Sequence, residues 1–265
     1  MVSTLYDVVV LGQSIHGKNV VDQLLLKKPD LKIAVVAPKI YKKVENVDYY
    51  LCKSIFSEYF RGLLVLNLET RQKVFGKTLI IATGNQPILP LREMKMTNDV
   101  YFHDFEVPIN KNRNVVVLGD NLEACLNASA LAQKVRHVYM LGDNITAKFE
   151  SMLADDPKIT FLQNAEIIDC KHDKNGKLCS VTLASGNQLK CTAIVSCLGR
   201  VPTVDGIDKR MVKLDESGYI KINLKYQTAR IKTIFAYGEC ATPFTDELAP
   251  QPIADCVLET LKEVR

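Results

Sequence analysis

Two short loops, each lying between an apolar run and a segment of helical periodicity, constrain this chain most. The first loop lies in YDVVVLGQSIHG, where Gly12, Ser14 and Gly17 follow a run of valines. The second lies in NVVVLGDNLEACLNASAL, where Gly119 and Asn121 take the first two places and alanine the third. A strand, a tight glycine turn and a helix N-terminus in this order form the dinucleotide-binding turn of a Rossmann unit. Two copies predict a protein that holds two dinucleotides.

The residues of each loop suit a pyrophosphate to different degrees. The first loop would present backbone N–H groups and the positive end of a helix to the phosphates. The second is more degenerate, because Asp120 and Glu123 place negative charge at its helix N-terminus, and the side chain of Asn121 can obstruct the phosphate path. For both loops, the alternative to ligand binding is a turn retained for folding alone.

The order of apolar runs predicts an α/β protein with two interlocked Rossmann-like domains. We expect a hairpin after the first βαβ unit, ending in a buried strand, and turns at Asn175-Gly176 and Ser185-Gly186 between later strands. Residues 41–62 are mixed and are predicted to be helical in part. The predicted strands are 8–11, 31–38, 79–82, 114–118, 137–141, 159–168, 177–184, 188–198, 218–222 and 234–238, and the predicted helices are 16–28, 122–134 and 252–264.

The composition argues against several classes of function. A net charge of +4 on 265 residues, with no long run of Lys or Arg, does not favour a nucleic-acid partner. No apolar stretch approaches the roughly 18 residues of a membrane span, and the N-terminus lacks a signal-peptide pattern, so we expect a cytoplasmic protein. The eight cysteines show no CxxC and no zinc-like spacing, so no metal site is predicted, and no Ser/His/Asp constellation is visible.

The sequence resembles the FAD-dependent pyridine nucleotide–disulfide oxidoreductases, in particular their thioredoxin-reductase-like and NADH oxidase-like members, over nearly its whole length. The resemblance rests on five stretches in the family's order: GQSIHG, TLIIATGNQPILP, VVVLGDNLEA, IVSCLGRVPTVD and GYIKINLKYQTARIKTIFAYGEC. It implies an FAD-binding domain formed by residues 1–106 and 214–265, and an inserted NAD(P)H-binding domain over 107–213.

The resemblance also implies site residues at two places. The residues expected to hold FAD are Gly12, Ser14, Gly17, Thr83, Gly84, Gly238 and Glu239. Those expected to line the nicotinamide side are Gly119, Asn121, Asp143, Gly199 and Arg200. Two departures weaken the flavin site: Ala37 replaces the acidic residue that binds the adenosine ribose, and Glu239 replaces an aspartate. Asp143 can accept bonds from the ribose of a nicotinamide cofactor, which favours NADH.

Cys52 is the candidate redox residue. It lies in DYYLCKSIFSEYF, which resembles the segment of NADH oxidase-like members that carries a redox cysteine beside the flavin. Lys53 and a following helix N-terminus are expected to favour its thiolate. The alternative is a half-buried cysteine at the start of a helix. Cys197 and Cys240, next to the signature stretches, are expected to be core residues.

The lack of a CxxC argues against a standard thioredoxin reductase, which passes electrons to a protein disulfide through such a dithiol. The resemblance therefore implies an FAD-dependent NAD(P)H oxidoreductase with another acceptor, either a small molecule or a protein, and a homodimer. Two alternatives stay open. The chain can be a non-catalytic member of the fold that serves as a binding or assembly module, or a redox sensor that binds a nicotinamide cofactor without flavin.

Overall fold

The computed structural model divides the chain into two compact units. The first unit comprises residues 1–86 and 201–265, and the inserted unit comprises residues 87–200. The structure describes residues 4–40, 42–60, 62–89, 91, 99–108, 110–144, 151, 153, 156–228, 230–242 and 250–264.

The described elements alternate between strands and helices in the first part of each unit, as the sequence predicts. The strands are β1 Leu5–Leu11, β2 Ile33–Val36, β3 Val47–Tyr50, β4 Ser54–Phe60, β5 Leu63–Leu68, β6 Lys73–Ile81, β7 Asn85–Pro87, β8 Val100–Tyr101, β9 Asn114–Leu118, β10 His137–Gly142, β11 Ile159–Gln163, β12 Ile167–His172, β13 Leu178–Leu183, β14 Gln188–Lys190, β15 Ala193–Ser196, β16 Arg200–Pro202, β17 Ile220–Lys221, β18 Ile234–Ala236 and β19 Ala241–Thr242. The helices are α1 Ile15–Lys27, α2 Leu122–Ala132 and α3 Pro250–Glu263, with a 3-10 turn at Asp104–Glu106.

The first unit is built on a seven-stranded sheet in the order β3-β2-β1-β6-β5-β4, with β18 also paired to β6. The strands β3, β2, β1, β6 and β18 run parallel, whereas β5 and β4 are antiparallel additions. Strand β6 has two neighbours on one edge: residues 73–76 pair with β5 and residues 79–81 pair with β18. The predicted hairpin is therefore confirmed, and its second strand continues into the parallel sheet.

Both faces of this sheet are covered, which explains the continuous apolar runs of its central strands. Helices α1 and α3 lie on one face, where Leu24, Ile253 and Val257 are buried together. Lys27 of α1 also forms an ion pair with Asp255 of α3, with 2.6 Å between Nζ and Oδ1. On the other face, apolar side chains of β5 pack against the segment that follows β16. Residues 207–212 of that segment contribute to the hydrophobic core on this face.

The inserted unit has a five-stranded parallel sheet in the order β11-β10-β9-β15-β8. Helix α2 packs on one face and the antiparallel sheet β12-β13-β14 covers the other. The predicted turns at Asn175-Gly176 and Ser185-Gly186 connect these antiparallel strands, and both glycines have positive φ, 75° and 86°. The remaining two-stranded sheets join β7 with β16 and β17 with β19.

The structure differs from the sequence predictions in four places. The predicted strand 188–198 is divided into β14 and β15, which belong to different sheets. Residues 41–62 contain β3 and β4 rather than a helix, because their tyrosines and phenylalanines favour strands that pair with β2 and β5. The predicted strand 159–168 is divided into β11 and β12 by Asn164, whose φ is 51°. The boundaries of the compact units also lie earlier than the predicted 106/107 and 213/214, because β8 pairs with β15 and residues 207–212 belong to the first unit's core.

Candidate dinucleotide-binding sites

The glycine loop of the first unit follows β1 and is shaped by close backbone contacts. Gly12 has a φ of +94°, and a Cβ at this position would lie 2.4 Å from the carbonyl oxygen of Ala82. A Cβ at Gly17, in the first turn of α1, would lie 2.5 Å from the oxygen of Gly12. No other residue type fits either contact, so both glycines have the positions that a Rossmann turn requires.

The other predicted flavin residues lie at the same edge of this sheet. Thr83 and Gly84 follow β6, Gly238 and Glu239 follow β18, and these strands run parallel to β1. The structure brings two of them together, because the Glu239 Oε2 lies 3.9 Å from the Cβ position of Gly84. The hydroxyl of Thr83 donates to the carbonyl of Thr203, so it serves the loop and not an open surface. Ligands of parallel α/β sheets bind at such carboxyl ends.

Two neighbours of the loop were not assigned a role by the sequence. The ring of His16 packs edge-on against Tyr237, with 5.7 Å between ring centroids, and would contact a Cβ at Gly238 at 3.0 Å. Gln13 is buried, and its Nε2 donates to the carbonyl of Lys42 at 2.9 Å and to the Tyr49 hydroxyl at 3.2 Å. These contacts fix the loop against the segment that follows β2.

The end of β2 is the point at which the first unit departs from a standard Rossmann site. The N–H of Gly12 donates to the carbonyl of Val36 at 2.8 Å, so the next residue, Ala37, stands where a ribose-binding carboxylate is expected. The segment beyond it carries exposed lysines rather than an acidic side chain at this position, among them Lys39 and Lys42. The adenosine ribose therefore has no carboxylate partner from this strand end.

The glycine loop of the inserted unit has the same frame with a different cap. Gly119 has a φ of +124°, and a Cβ there would lie 2.7 Å from the carbonyl oxygen of Cys197. The side chain of Asn121 caps α2 by accepting from the N–H of Ala124 at 2.9 Å, and it donates to the Cys197 carbonyl at 2.7 Å. The Asn121 side chain thus holds the loop, and only backbone groups are left for a phosphate. Ser14, at the N-cap of α1, makes no side-chain cap bond.

A cleft of about 350 Å³ opens at the carboxyl ends of β9, β10 and β15. Three carboxylate residues line it: Asp120, Asp143 and Glu166. Asp143 was expected there, whereas Asp120 and Glu166 were not assigned to the site from the sequence. Among the described residues that line this cleft there is no lysine or arginine.

Gly199 and Arg200 lie in the middle of the signature stretch IVSCLGRVPTVD, after β15. Gly199 has a φ of +98°, and its carbonyl accepts from the N–H of Ile88 at 3.0 Å. The guanidinium of Arg200 lies 3.4 Å from the Nε2 of His103. Neither residue lines the acidic cleft, whose lining includes the preceding residue, Leu198.

The structure does not supply the surroundings expected for a thiolate at Cys52. Strand β4 follows this residue instead of a helix, so no helix dipole acts on the sulfur. The side chain is buried in the first unit's core. Burial raises the pKa of the thiol, a contact with Thr70 opposes this rise, and the Glu69 carboxylate adds to it. A neutral thiol is favoured here at neutral pH.

The other cysteines are also free. Cys197 and Cys240 are buried, as expected of core residues, and Cys240 Sγ lies 3.4 Å from the carbonyl oxygen of Ile81. Within the described ranges, His, Cys, Asp and Glu side chains form no group of three suited to a metal ion. Among the helices that the structure describes, none is long and apolar enough to cross a membrane.

Comparison with known proteins agrees with this arrangement of two dinucleotide folds. A family model described as pyridine nucleotide-disulphide oxidoreductase matches residues 5–259. The chain belongs to this family. As a pyridine nucleotide-disulphide oxidoreductase, it is a member of a family of FAD-dependent enzymes that use NAD(P)H.

Curated relatives of this chain include several kinds of reductase and a human protein. It is 26% identical to the glutathione reductase of Burkholderia cepacia over an alignment of 232 positions that covers 80% of this chain and 49% of that protein. It is 29% identical to the thioredoxin reductase of Spironucleus barkhanus over an alignment of 137 positions that covers 49% of this chain and 45% of that protein. A third relative is human apoptosis-inducing factor 3, at 23% identity over an alignment of 268 positions that covers 88% of this chain and 44% of that protein. The chain therefore spans about half the length of these curated relatives.

Solved structures establish the fold. The chain is similar to the crystal structure of Lactococcus lactis thioredoxin reductase, with a TM-score of 0.67 at 16% identity and coverage of 98% of both chains. It is also similar to the thioredoxin reductase of T. acidophilum, with a TM-score of 0.64 at 14% identity and coverage of 98% and 97%. These likenesses confirm the predicted α/β fold with two Rossmann-like dinucleotide-binding domains.

Proposed function

We propose that the chain is an FAD-dependent NAD(P)H oxidoreductase that lacks a redox dithiol and passes electrons to an acceptor other than a protein disulfide. One observation carries the proposal: both units place a glycine loop, closed against a neighbouring backbone carbonyl, at the carboxyl edge of a parallel sheet. A pyrophosphate suits such a loop because the backbone N–H groups at the helix N-terminus can donate to it. In the first unit the Ser14 side chain does not cap these groups, whereas in the inserted unit Asn121 already accepts the N–H of Ala124.

In this proposal the first unit holds FAD. The loop of Gly12, Ser14 and Gly17 binds the pyrophosphate, and Gly84 and Glu239 lie at the adjoining strand ends. The half-buried Glu239 carboxylate is an acceptor suited to a hydroxyl of the flavin's ribityl chain. Thr83 and Gly238 shape these loops, through the contact with Thr203 and the close approach of His16.

The inserted unit holds the nicotinamide cofactor. The loop of Gly119 and Asn121 meets the pyrophosphate, and the cleft with Asp143 takes the adenosine end. Gly199 and Arg200 are placed on the nicotinamide side by resemblance to the family. When bound, FAD supplies hydride acceptance and electron release, while the protein supplies orientation and electrostatics. A cytoplasmic location and a homodimer are parts of the same proposal.

An absorption spectrum of the purified chain, before and after added FAD, tests the proposal. We expect flavin bands that bleach when NADH or NADPH is added without oxygen. Bound flavin that neither nucleotide bleaches would contradict the nicotinamide assignment. A protein that takes up no FAD would contradict the enzyme function.

A second candidate function is a non-catalytic module of the same fold. The two strand ends favour this candidate, because neither Ala37 nor Gly142 has a carboxylate that could bind the ribose of a dinucleotide. Such a module would purify without colour and without FAD uptake. A colourless protein that binds NADH would instead be a redox sensor.

Cys52 stays a candidate redox residue in this proposal, and it is tested by Cys52→Ser. Since burial raises the pKa of its thiol, we expect the variant to turn over with unchanged rate constants. The comparison uses NADH with oxygen, peroxide and a quinone as acceptors. A large loss of turnover with one acceptor, and retained flavin binding, would show that the thiol takes part in that reaction.

A further inference from the structure

The two units share one hydrogen bond at equivalent places in their glycine loops. In the inserted unit, the N–H of Gly119 donates to the carbonyl of Leu141 at 2.8 Å, as the N–H of Gly12 does to Val36 at the same distance. In the first unit the residue after this carbonyl is Ala37, which stands where the ribose-binding carboxylate is expected. In the inserted unit that residue is Gly142, which has no side chain to offer.

The space that a side chain at position 142 would take is already filled. A Cβ built on Gly142 would lie 2.8 Å from the Cβ of Asp120. This distance is shorter than two carbon atoms tolerate, so Asp120 and a side chain at position 142 exclude one another. The Asp120 carboxylate therefore extends from nearly the point at which a ribose-binding Asp or Glu would begin.

Asp120 is also held in place and open to the cleft. Its Oδ2 accepts the N–H of Asn144 at 3.0 Å, which fixes the carboxylate at the end of β10. Within the described part of the chain, its other oxygen accepts no hydrogen bond from a protein group. Asp120 lines the 350 Å³ cleft together with Asp143 and Glu166. Two lone pairs facing such a cleft suit the two hydroxyls of a ribose.

We infer that Asp120, supplied by the glycine loop instead of the strand end, binds the adenosine ribose of NADH and excludes NADPH. This inference rests on the proposed function, because it needs a nicotinamide dinucleotide in the inserted unit. The 2′-phosphate of NADPH brings further negative charge beside three carboxylates, and among the described residues the cleft lining offers no lysine or arginine to neutralise it.

Calorimetric titration of the full chain with NADH and with NADPH tests the inference without any need for turnover. We expect the wild type to bind NADH at least about tenfold more tightly than NADPH. In Asp120→Asn the amide oxygen can still accept the Asn144 N–H, whereas the charge is lost. We expect NADH affinity to fall about tenfold and the preference over NADPH to disappear. We expect Asp120→Ser, a second small polar replacement, to reduce the preference for NADH over NADPH in the same way.

Two further variants separate Asp120 from its neighbours. Glu123→Gln removes one negative charge from the first turn of α2, outside the cleft lining, and should leave the preference unchanged. Asp143→Asn tests whether a second carboxylate of the cleft, and not Asp120, sets the preference. A preference that survives Asp120→Asn, or that is lost only in Asp143→Asn, would overturn the inference while leaving the proposed function standing. Binding of neither nucleotide by the wild type would overturn both.

Discussion

The first unit and the inserted unit build the same turn but complete it with opposite chemistry. Both close a glycine loop on a carbonyl of the following parallel strand, at 2.8 Å from Val36 and from Leu141. Beyond this common frame, the first unit continues into Ala37 and exposed lysines, whereas the inserted unit presents a cleft of carboxylates. The two units thus share the backbone geometry of the Rossmann turn but differ in the side chains that would contact the ribose of a ligand.

Alanine substitutions at the first glycine of each loop should have the largest effect on stability. Gly12→Ala adds a Cβ at 2.4 Å from a backbone oxygen at positive φ, and Gly119→Ala adds one at 2.7 Å. We expect each to lower the free energy of unfolding by about 3 kcal/mol or more, with Gly12→Ala the more damaging. Denaturant unfolding measures both, and FAD titration follows the first.

Glycines in open turns provide the matched controls for this pair. Gly62 and Gly176 also have positive φ, 81° and 75°, but a Cβ at either position meets nothing within 4 Å. Alanine at either position introduces backbone strain without a steric clash. We expect it to lower the free energy of unfolding by only about 1 kcal/mol. Equal losses in Gly12→Ala and Gly62→Ala would show that the close approach to Ala82 is unimportant.

The buried thiols of the inserted unit should make its stability fall at alkaline pH. Burial raises the pKa of Cys191 and of Cys197 from 9.0 to about 12. Between pH 9 and 12 the unfolded chain loses these protons while the folded chain keeps them, so stability declines as pH rises. For each thiol we expect about 1.4 kcal/mol per pH unit in this window.

Unfolding curves at several pH values measure this decline. Cys191→Ala and Cys197→Ala should each flatten the profile between pH 9 and 12, and Cys179→Ala, which removes an exposed thiol, is the control. A profile of unchanged slope in both buried-site variants would show that burial of these thiols is not the cause of the decline.

Restoring a carboxylate to the first unit sharpens the comparison of strand ends. We expect Ala37→Glu to tighten FAD binding by about tenfold, because a charged acceptor would then meet the adenosine ribose. Flavin fluorescence titration measures the change. Lys39→Glu adds a negative charge two residues further along and should not tighten binding. Equal gains from both variants would indicate a general charge effect instead of a ribose contact.

Substitutions at the N-cap residues of α1 and α2 should have the smallest effects on the free energy of unfolding. The Asn121 side chain accepts from the Ala124 N–H, whereas Ser14 makes no side-chain cap bond. We expect Asn121→Ala to lower the free energy of unfolding by about 1 kcal/mol and Ser14→Ala to change it by less than about 0.5 kcal/mol. Denaturation midpoints measure both. A larger loss in Ser14→Ala would show that the serine hydroxyl has a structural role.

The sequence predicts the parts of the fold whose signal is local. Strand β9 lies over Asn114–Leu118 as expected, and the hairpin turns fall at their glycines, because apolar runs and turn residues act over short distances. The helical prediction for residues 41–62 is wrong. Strand β3 depends on pairing with β2, and β4 forms a hairpin with β5, and the mixed local periodicity does not reveal either pairing. The same holds for the division of 159–168 between two sheets.

The candidate sites show the same division. Glycine positions could be predicted, since each loop repeats a fixed spacing after a strand. The proposed ribose role of Asp120 could not be predicted, because it depends on a contact between separate segments: the Asp120 Cβ lies 2.8 Å from the position that a Cβ of Gly142 would take. The raised pKa of the Cys52 thiol depends mainly on its burial in the first unit's core, which the residues next to it in the sequence do not reveal.

The two neighbours that share one edge of β6 have a consequence for the order of synthesis. Strand β5 emerges from the ribosome just before β6, but β18, which pairs with residues 79–81, follows only after the whole inserted unit has been made. The inserted unit is continuous in the chain, so it can fold as soon as it is released. Until β18 has been synthesised, residues 79–81 of β6 have no partner strand on this edge. During that interval the nascent chain exposes an unpaired strand edge to chaperones and to other chains.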